Sequence, residues 1–233
     1  MIPRLSLFLA SILLASPALA DASVSYRTPT GVILIEENAR GAMRLSFGKD
    51  VYVLFAEGRA YLSDGSGRKP RVRDLTSLVH RFSPMVAMLR GPDTGSDTAN
   101  VRFTALKDTA TVAGFSGRRL AATGLGTDAP VEIVATDDPA AAPAGQLVGR
   151  LIRNLADQVR QADPRIATAM LPELDRLGEW QRELGTVLRI ADKIELVGLS
   201  DGEIASERFT LPAVPDNGKA EARIAERLAK EAR

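Results

Sequence analysis

Cysteine is absent from this 233-residue chain, histidine and tryptophan occur once each, and aromatic residues make up only 5% of it. Without cysteine there is no disulfide and no thiolate metal site, so the core alone has to hold the fold. A single histidine, His80, leaves a zinc site dependent on carboxylates, and no clustered spacing provides them. Nucleophilic hydrolysis is short of parts too. The stretch "GFSGR" around Ser116 lacks the G-x-S-x-G elbow, and His80, beside Leu78 and Val79, reads as a surface or rim histidine rather than a general base. An excess of one charge is also missing. Lys and Arg number 30 against 29 Asp and Glu, a formal net charge of +1, which gives no basic face for nucleic acid. Neither a cofactor nor a metal is expected.

The longest apolar run lies at the N-terminus. Arg4 precedes the run Leu5 to Leu14, and Ala18-Leu19-Ala20 is an A-x-A site, the pattern of a secretory signal cleaved after Ala20. Ser6, Ser11, Ser16 and Pro17 break the stretch, which falls short of the roughly 20 apolar residues a membrane helix needs. The expectation is a periplasmic protein with no stable membrane anchor, in which residues 1–20 are signal, 21–213 one domain and 214–233 a charged helical or disordered tail. That tail carries a thin apolar stripe of Ala220, Ile224 and Leu228, too narrow to bury against a core.

From Ser23 to Ser63 short apolar runs alternate with turn residues: "SVSYRT", "VILIEE", "AMRLSF", "VYVLFA" and "RAYLS" read as an antiparallel meander. Met43, Leu45 and Phe47 alternate with Ala42, Arg44 and Ser46, as in a half-buried strand. A Gly/Ser/basic loop, "SDGSGRKPRVR", follows. Leu75, Leu78, Val79, Phe82, Val86 and Leu89 then recur at helical spacing, with a bend at Pro84. "NVRFTAL", "TATVAGF", "RRLAATG" and "VEIVAT" resume the strands, with turns expected at Lys107-Asp108, Ser116-Gly117 and "LGTDAP".

After "DDPAAAPAG", Leu147, Val148, Leu151, Ile152, Leu155 and Val159 share one helical stripe, opposite Arg150, Arg153, Asp157 and Arg160. A second helical stretch with Ile166, Met170, Leu174, Leu177 and Trp180 is interrupted by Pro172. Closing strands are expected in "TVLRIADKIELVGLS" and "ERFTLP".

Two motifs spell familiar words without their context. Asp93-Thr94-Gly95 resembles an aspartic-protease loop, but Gly91-Pro92 precede it and no second copy supplies the facing carboxylate. It reads as a surface turn. Gly124-Leu-Gly126-Thr-Asp-Ala129 matches a dinucleotide fingerprint, yet Pro130 and a strand follow where a helix is required. The most polarised stretch, Arg68, Lys69, Arg71 and Arg73, reads either as a solvated loop or as a contact for anionic headgroups or an acidic partner.

The segment Thr109 to Pro143, with Gly114, Phe115, Arg118, Arg119, Val134, Thr136, Asp137 and Asp138, resembles exported bacterial proteins carrying the uncharacterised domain DUF4412. Gly185 to Pro212, with Phe209, Leu211 and Pro212, is similar to that family's closing hairpin and final strand. The family is similar in turn to periplasmic lipoprotein carriers (LolA/LolB-like). That resemblance implies an incomplete antiparallel barrel whose concave face is covered by helices, with an apolar cleft beneath them. It brings no catalytic residues.

Independently of it, a curved antiparallel sheet with helical insertions apolar on one face is an α+β half-barrel, and a covered barrel mouth is where ligand pockets form. The expected function is non-enzymatic binding of a lipid or a lipoprotein acyl chain. The sheet would offer Met43, Leu45, Phe47, Val53 and Phe55, and a covering helix Leu75, Val79, Phe82, Met85 and Leu89. Two alternatives stand beside it: an envelope scaffolding protein with a closed core and a partner-binding tail, and a dimeric hydrolase using Asp93.

Overall fold

Residues 21–67, 70–75, 101–125, 127–161 and 164–212 are described by the computed structural model. Their strands form one antiparallel sheet of 11, in the order β6-β5-β4-β3-β2-β1-β11-β10-β9-β8-β7, and the sheet does not close into a barrel. The first half is the meander read from the sequence: β1 (Ala22–Thr28), β2 (Gly31–Glu37), β3 (Met43–Phe47), β4 (Val51–Ala56) and β5 (Arg59–Asp64). Its two-residue turn Glu57-Gly58 has both residues at positive φ (54° and 74°), which matches the right-handed twist of the flanking strands.

β6 (Arg71–Asp74) departs from expectation, because "RVRD" is a strand and not the end of a loop. Val72 is the cause: it sits opposite Ser63 and is buried, so pairing with β5 removes an apolar side chain from water. Leu75, expected to open the covering helix, instead continues the pairing with β5, its N donating to Ala60 O at 2.8 Å, and is buried. The rest of that helix, Leu78 to Leu89, and the Asp93 turn lie outside the described residues.

The second half holds β7 (Arg102–Val112), β8 (Phe115–Thr123), β9 (Val131–Thr136), β10 (Thr186–Ile190) and β11 (Ile194–Ser200). Lys107-Asp108 and Ser116-Gly117 are not turns. The first is an irregularity inside one long strand, where the register shifts between Ala105 and Thr109. The turn is Ala113-Gly114, at φ 50° and 86°. Alanine seldom adopts that backbone, so the sequence hides it. Gly117 is needed as a strand residue, since a Cβ there would stand 2.7 Å from Val134 Cγ1 and 3.1 Å from Leu188 Cδ1. The connection from Gly124 to Pro130 joins β8 to β9, and no helix follows it.

Between β9 and β10 stands a helical hairpin, α1 (Ala142–Arg160) and α2 (Pro164–Leu184). α1 begins inside the expected linker with Pro143 in its first turn, where a missing N–H costs nothing. It lies against β1, β2 and β10, and the face it covers is called the inner face below. Ala144, Leu147 and Leu151 bury there with Val24, Ile35, Leu188 and Leu196. Each of the Leu, Ile and Val side chains contributes about 1.5–3 kcal/mol of transfer free energy. Arg150, expected on the polar side, instead reaches Glu37 of β2 at 2.6 Å.

α2 runs through Pro172 as one helix. Its packed stripe is Ala167, Met170, Leu171 and Leu174, and Leu177, at the margin of that stripe, is exposed. The last turn of α2 puts Trp180 and Leu184 on the other face of the sheet, with Leu120, Ile133 and Phe103. Phe103 and Trp180 meet edge to face at 6.0 Å.

"ERFTLP" is not a strand. Ser206–Phe209 is a 3-10 helix strapped across the outer face of β3. Arg208 holds it there, its Nε donating to Glu36 Oε1 at 2.6 Å and its Nη2 to Oε2 at 2.5 Å. At the start of the strap, Ile204 N donates to Asp21 Oδ2 at 2.7 Å.

Candidate functional site

Strand register sorts the first half of the sheet into rows that cross the strands. One row on the inner face is Tyr26, Ile33, Phe47, Val51, Asp64 and Arg71. The next is Val24, Ile35, Leu45, Val53, Leu62 and Arg73. A third, nearer α1, pairs Glu37, Met43, Phe55 and Ala60, and Leu75 N donates to Ala60 O at 2.8 Å. Residues directly opposite one another stand on the same face, so each row is a continuous surface.

Burial divides these rows. Met43, Val53, Phe55 and Leu75 are core, Met43 at 0% exposure, and α1 belongs to the same cluster. Leu45, Ile33 and Leu62 are half-buried, and Phe47 is 41% exposed. Of the five sheet residues expected to line a cleft, three are therefore sealed and two, Leu45 and Phe47, lie on the side that neither described helix covers. Ile33, Val51 and Leu62 join them there. The sequence did not single these out because "VILIEE" and "VYVLFA" are continuous apolar runs, and only register tells which residue faces which way. Val79, Phe82, Met85 and Leu89 lie outside the described residues.

Two of the four cationic residues singled out in the sequence fall on this same face. Arg71 stands opposite Asp64 and Arg73 opposite Leu62, on the strand that ends the sheet. Among the described residues neither guanidinium forms an ion pair. Asp64 is held below the usual carboxylate range, first by hydrogen bonds from Ser66 Oγ (2.6 Å) and Ser66 N (3.0 Å), then by the fields of Arg71 and Arg73. Arg68 and Lys69 lie outside the described residues.

Two cavities open elsewhere. One of about 460 Å³ lies on the outer face between Arg44, Tyr52, Pro70 and the strap residues Glu207 to Pro212. Its guanidinium is already engaged: Arg44 stacks 3.6 Å over the Tyr52 ring, donates Nη1 to Arg208 O (2.8 Å) and Nε to Ser46 Oγ (3.1 Å). The other, of about 380 Å³, sits between the Glu57-Gly58 turn and the end of α1, where Gln158 Nε2 donates to Gly58 O at 3.0 Å. Its lining is mostly polar and charged, from Glu57, Arg59, Asp157 and Arg160.

The perturbed acids and bases are otherwise structural. Arg119 and Arg189 both donate to Glu132 and hold its carboxyl below the usual range. Arg118 pairs with Asp137 and donates Nη2 to Leu184 O at 2.8 Å, a cation at the C-terminus of α2. Burial pushes the Tyr26 phenol up to about 12, and its hydroxyl donates to Val187 O at 3.3 Å. Among the described residues no group of three His, Asp or Glu side chains could hold a metal ion. Nor, among them, is any helix long and apolar enough to cross a membrane. His80 and Asp93 lie outside the described residues.

The chain matches no family model and no curated protein. Among solved structures, one of PNGF-II in its C2 crystal form aligns over 88% of this chain and 32% of its own, with 9% identity and a TM-score of 0.34. The chain thus spans about a third of that protein, and a likeness at this level carries no argument.

Proposed function

We propose that this chain is an exported, non-enzymatic binding protein that holds an apolar moiety, a lipid or the acyl chain of a lipoprotein, on the uncovered part of its inner face. In this reading the sheet is an incomplete barrel, with helices covering part of the concave face and leaving the rest for ligand. One observation carries the proposal: Ile33, Leu45, Phe47, Val51 and Leu62 form one contiguous apolar surface, partly exposed beside a sealed core. Scattered exposed apolar residues are ordinary, but a contiguous strip on the inner face of a curled sheet is how binding sites are built. The resemblance to DUF4412 proteins and lipoprotein carriers points the same way.

Delipidated protein, full chain less residues 1–20, is titrated with a fluorescent long-chain fatty acid, and the protein purified from a periplasmic extract is weighed by native mass spectrometry. Saturable uptake and a lipid-sized adduct are expected, with Phe47→Asp weakening uptake about tenfold or more by placing a charge in the strip. Absence of both adduct and uptake refutes the proposal.

The second reading, an envelope scaffold, draws on the other half of the same observation, since Met43, Val53 and Phe55 are closed core. The strap also leaves Pro212 on the outer face, away from the strip. That reading expects a partner to be lost when 217–233 are deleted while uptake of fatty acid is absent throughout.

A further inference from the structure

The dimensions and polarity of the strip specify more than "apolar". Its open row is Val51 of β4, Phe47 of β3 and Ile33 of β2, with Leu62 of β5 and Leu45 beside it, and it stops at β1, where Tyr26 and Val24 are buried. At its other end the row passes Asp64 to Arg71, with Arg73 beside it, on the last strand of the sheet among the described residues. From β6 to β2 there are four strand spacings of about 4.8 Å, roughly 19 Å in all. Along the strands the open surface is one row wide, because Val24, Ile35 and Val53 of the next row are buried and only its Leu45 and Leu62 are half-buried. A carbon chain with bonds of about 1.5 Å in staggered zigzag advances about 1.25 Å per carbon, so roughly 19 Å holds about 15 carbons. One open row admits one such chain and not two side by side.

Charge distinguishes the two ends. The β1 end presents no charged side chain on these rows, whereas the β6 end presents two guanidiniums and one carboxylate, and that carboxylate is turned to Ser66. The balance at the β6 end is one net positive charge. Two forks that form no ion pair among the described residues are suited to a carboxylate or a phosphate.

Building on the proposed binding function, we infer that the occupant is an anionic amphiphile with one extended chain of about 15 carbons, its headgroup at Arg71 and Arg73 and its tail lying across β5, β4 and β3 to β2. The tail supplies affinity and the edge strand supplies direction. Each CH₂ that reaches apolar surface strengthens binding about fourfold until the chain meets Tyr26, after which further carbons project into water and add nothing.

The test displaces a fluorescent probe from the delipidated protein with saturated fatty acids of about 10 to about 20 carbons, the fatty alcohols of the same lengths, and a single-chain lysophosphatidate. Acids are expected to exceed alcohols by about tenfold, with affinity rising by chain length to a plateau near about 15 carbons. Arg71→Gln with Arg73→Gln removes the difference between acid and alcohol, with circular dichroism confirming the fold. Lysophosphatidate and fatty acid tell which anion is preferred, and either preference supports the inference. Alcohols that bind as tightly as acids, or affinity that climbs without a plateau, overturn it while leaving the proposed function standing. If neither acids nor alcohols bind, the proposed function falls and this inference with it.

Discussion

Arg208 closes the strap on the back of the sheet, and replacing it tests whether the strap stabilises the fold or merely decorates it. Glu36 has a side chain only 5% exposed, while Arg208 is 39% exposed. Arg208→Ala therefore strands a buried carboxylate. Breaking a buried pair by removing one partner costs about 3–5 kcal/mol. Two features reduce that here: solvent reaches the guanidinium, and Arg44, close enough for Glu36 to act on its charge, remains as a second cation. About 2–3 kcal/mol is the expected loss, read as a shift in urea midpoint at neutral pH by circular dichroism. Replacing both partners, Glu36→Leu with Arg208→Leu, should recover most of it, because no charge is then left unpaired. The reasoning fails if Arg208→Ala stays within about 0.5 kcal/mol of wild type, or if the double variant is no better than the single one.

Other consequences follow from the same geometry. Gly117→Ala drives a Cβ to 2.7 Å from Val134 Cγ1 and 3.0 Å from Ala135 O, and should cost about 1–3 kcal/mol in the same urea assay. Tyr26, raised to about 12 by burial, stays a phenol where an exposed tyrosine ionises at 10.0. Its contribution is complete below pH 10 and is lost at roughly 1.4 kcal/mol per pH unit as pH climbs from there to about 12. Phenolate absorbance of wild type against Tyr26→Phe checks this, and a Tyr26 that titrates with the exposed phenols contradicts it. Glu132 shifts the other way: its stabilising pairing with Arg119 and Arg189 is present above the ordinary 4.5 and is lost as pH falls through the lower folded value. Glu132→Gln should flatten that acid limb. Phe47→Asp, at an exposed site, should leave stability within about 0.5 kcal/mol even where it abolishes binding.

The meander from Ser23 to Ser63 was legible because its apolar runs are short, its turns carry Gly and Asp, and each strand pairs with its sequence neighbour. Legibility failed where a local signal was outvoted. Lys107-Asp108 looks like a turn, yet it is absorbed as a bulge because β7 gains more from staying paired with β8. Phe209 and Leu211 alternate like a strand, but Arg208 ties that segment to Glu36 on the back of the sheet, where every neighbouring strand already has its partners. At the candidate site, periodicity identified Leu45 and Phe47. It could not find Ile33, Val51 and Leu62, which acquire meaning only from cross-strand register, nor show that Arg71 and Arg73 cap the same rows.

β1 pairs with β11 in the middle of the sheet, Val24 against Leu199, and Tyr26 reaches Val187 across a sequence separation of 161. The first strand therefore waits for nearly the whole chain before its second neighbour exists. Such a seam raises contact order and slows folding, since the loop closure comes before any reward. For a chain proposed to cross a membrane as an unfolded thread, that delay is an asset. The sheet's central join is made from its two ends, so a half-exported chain has nothing there to lock.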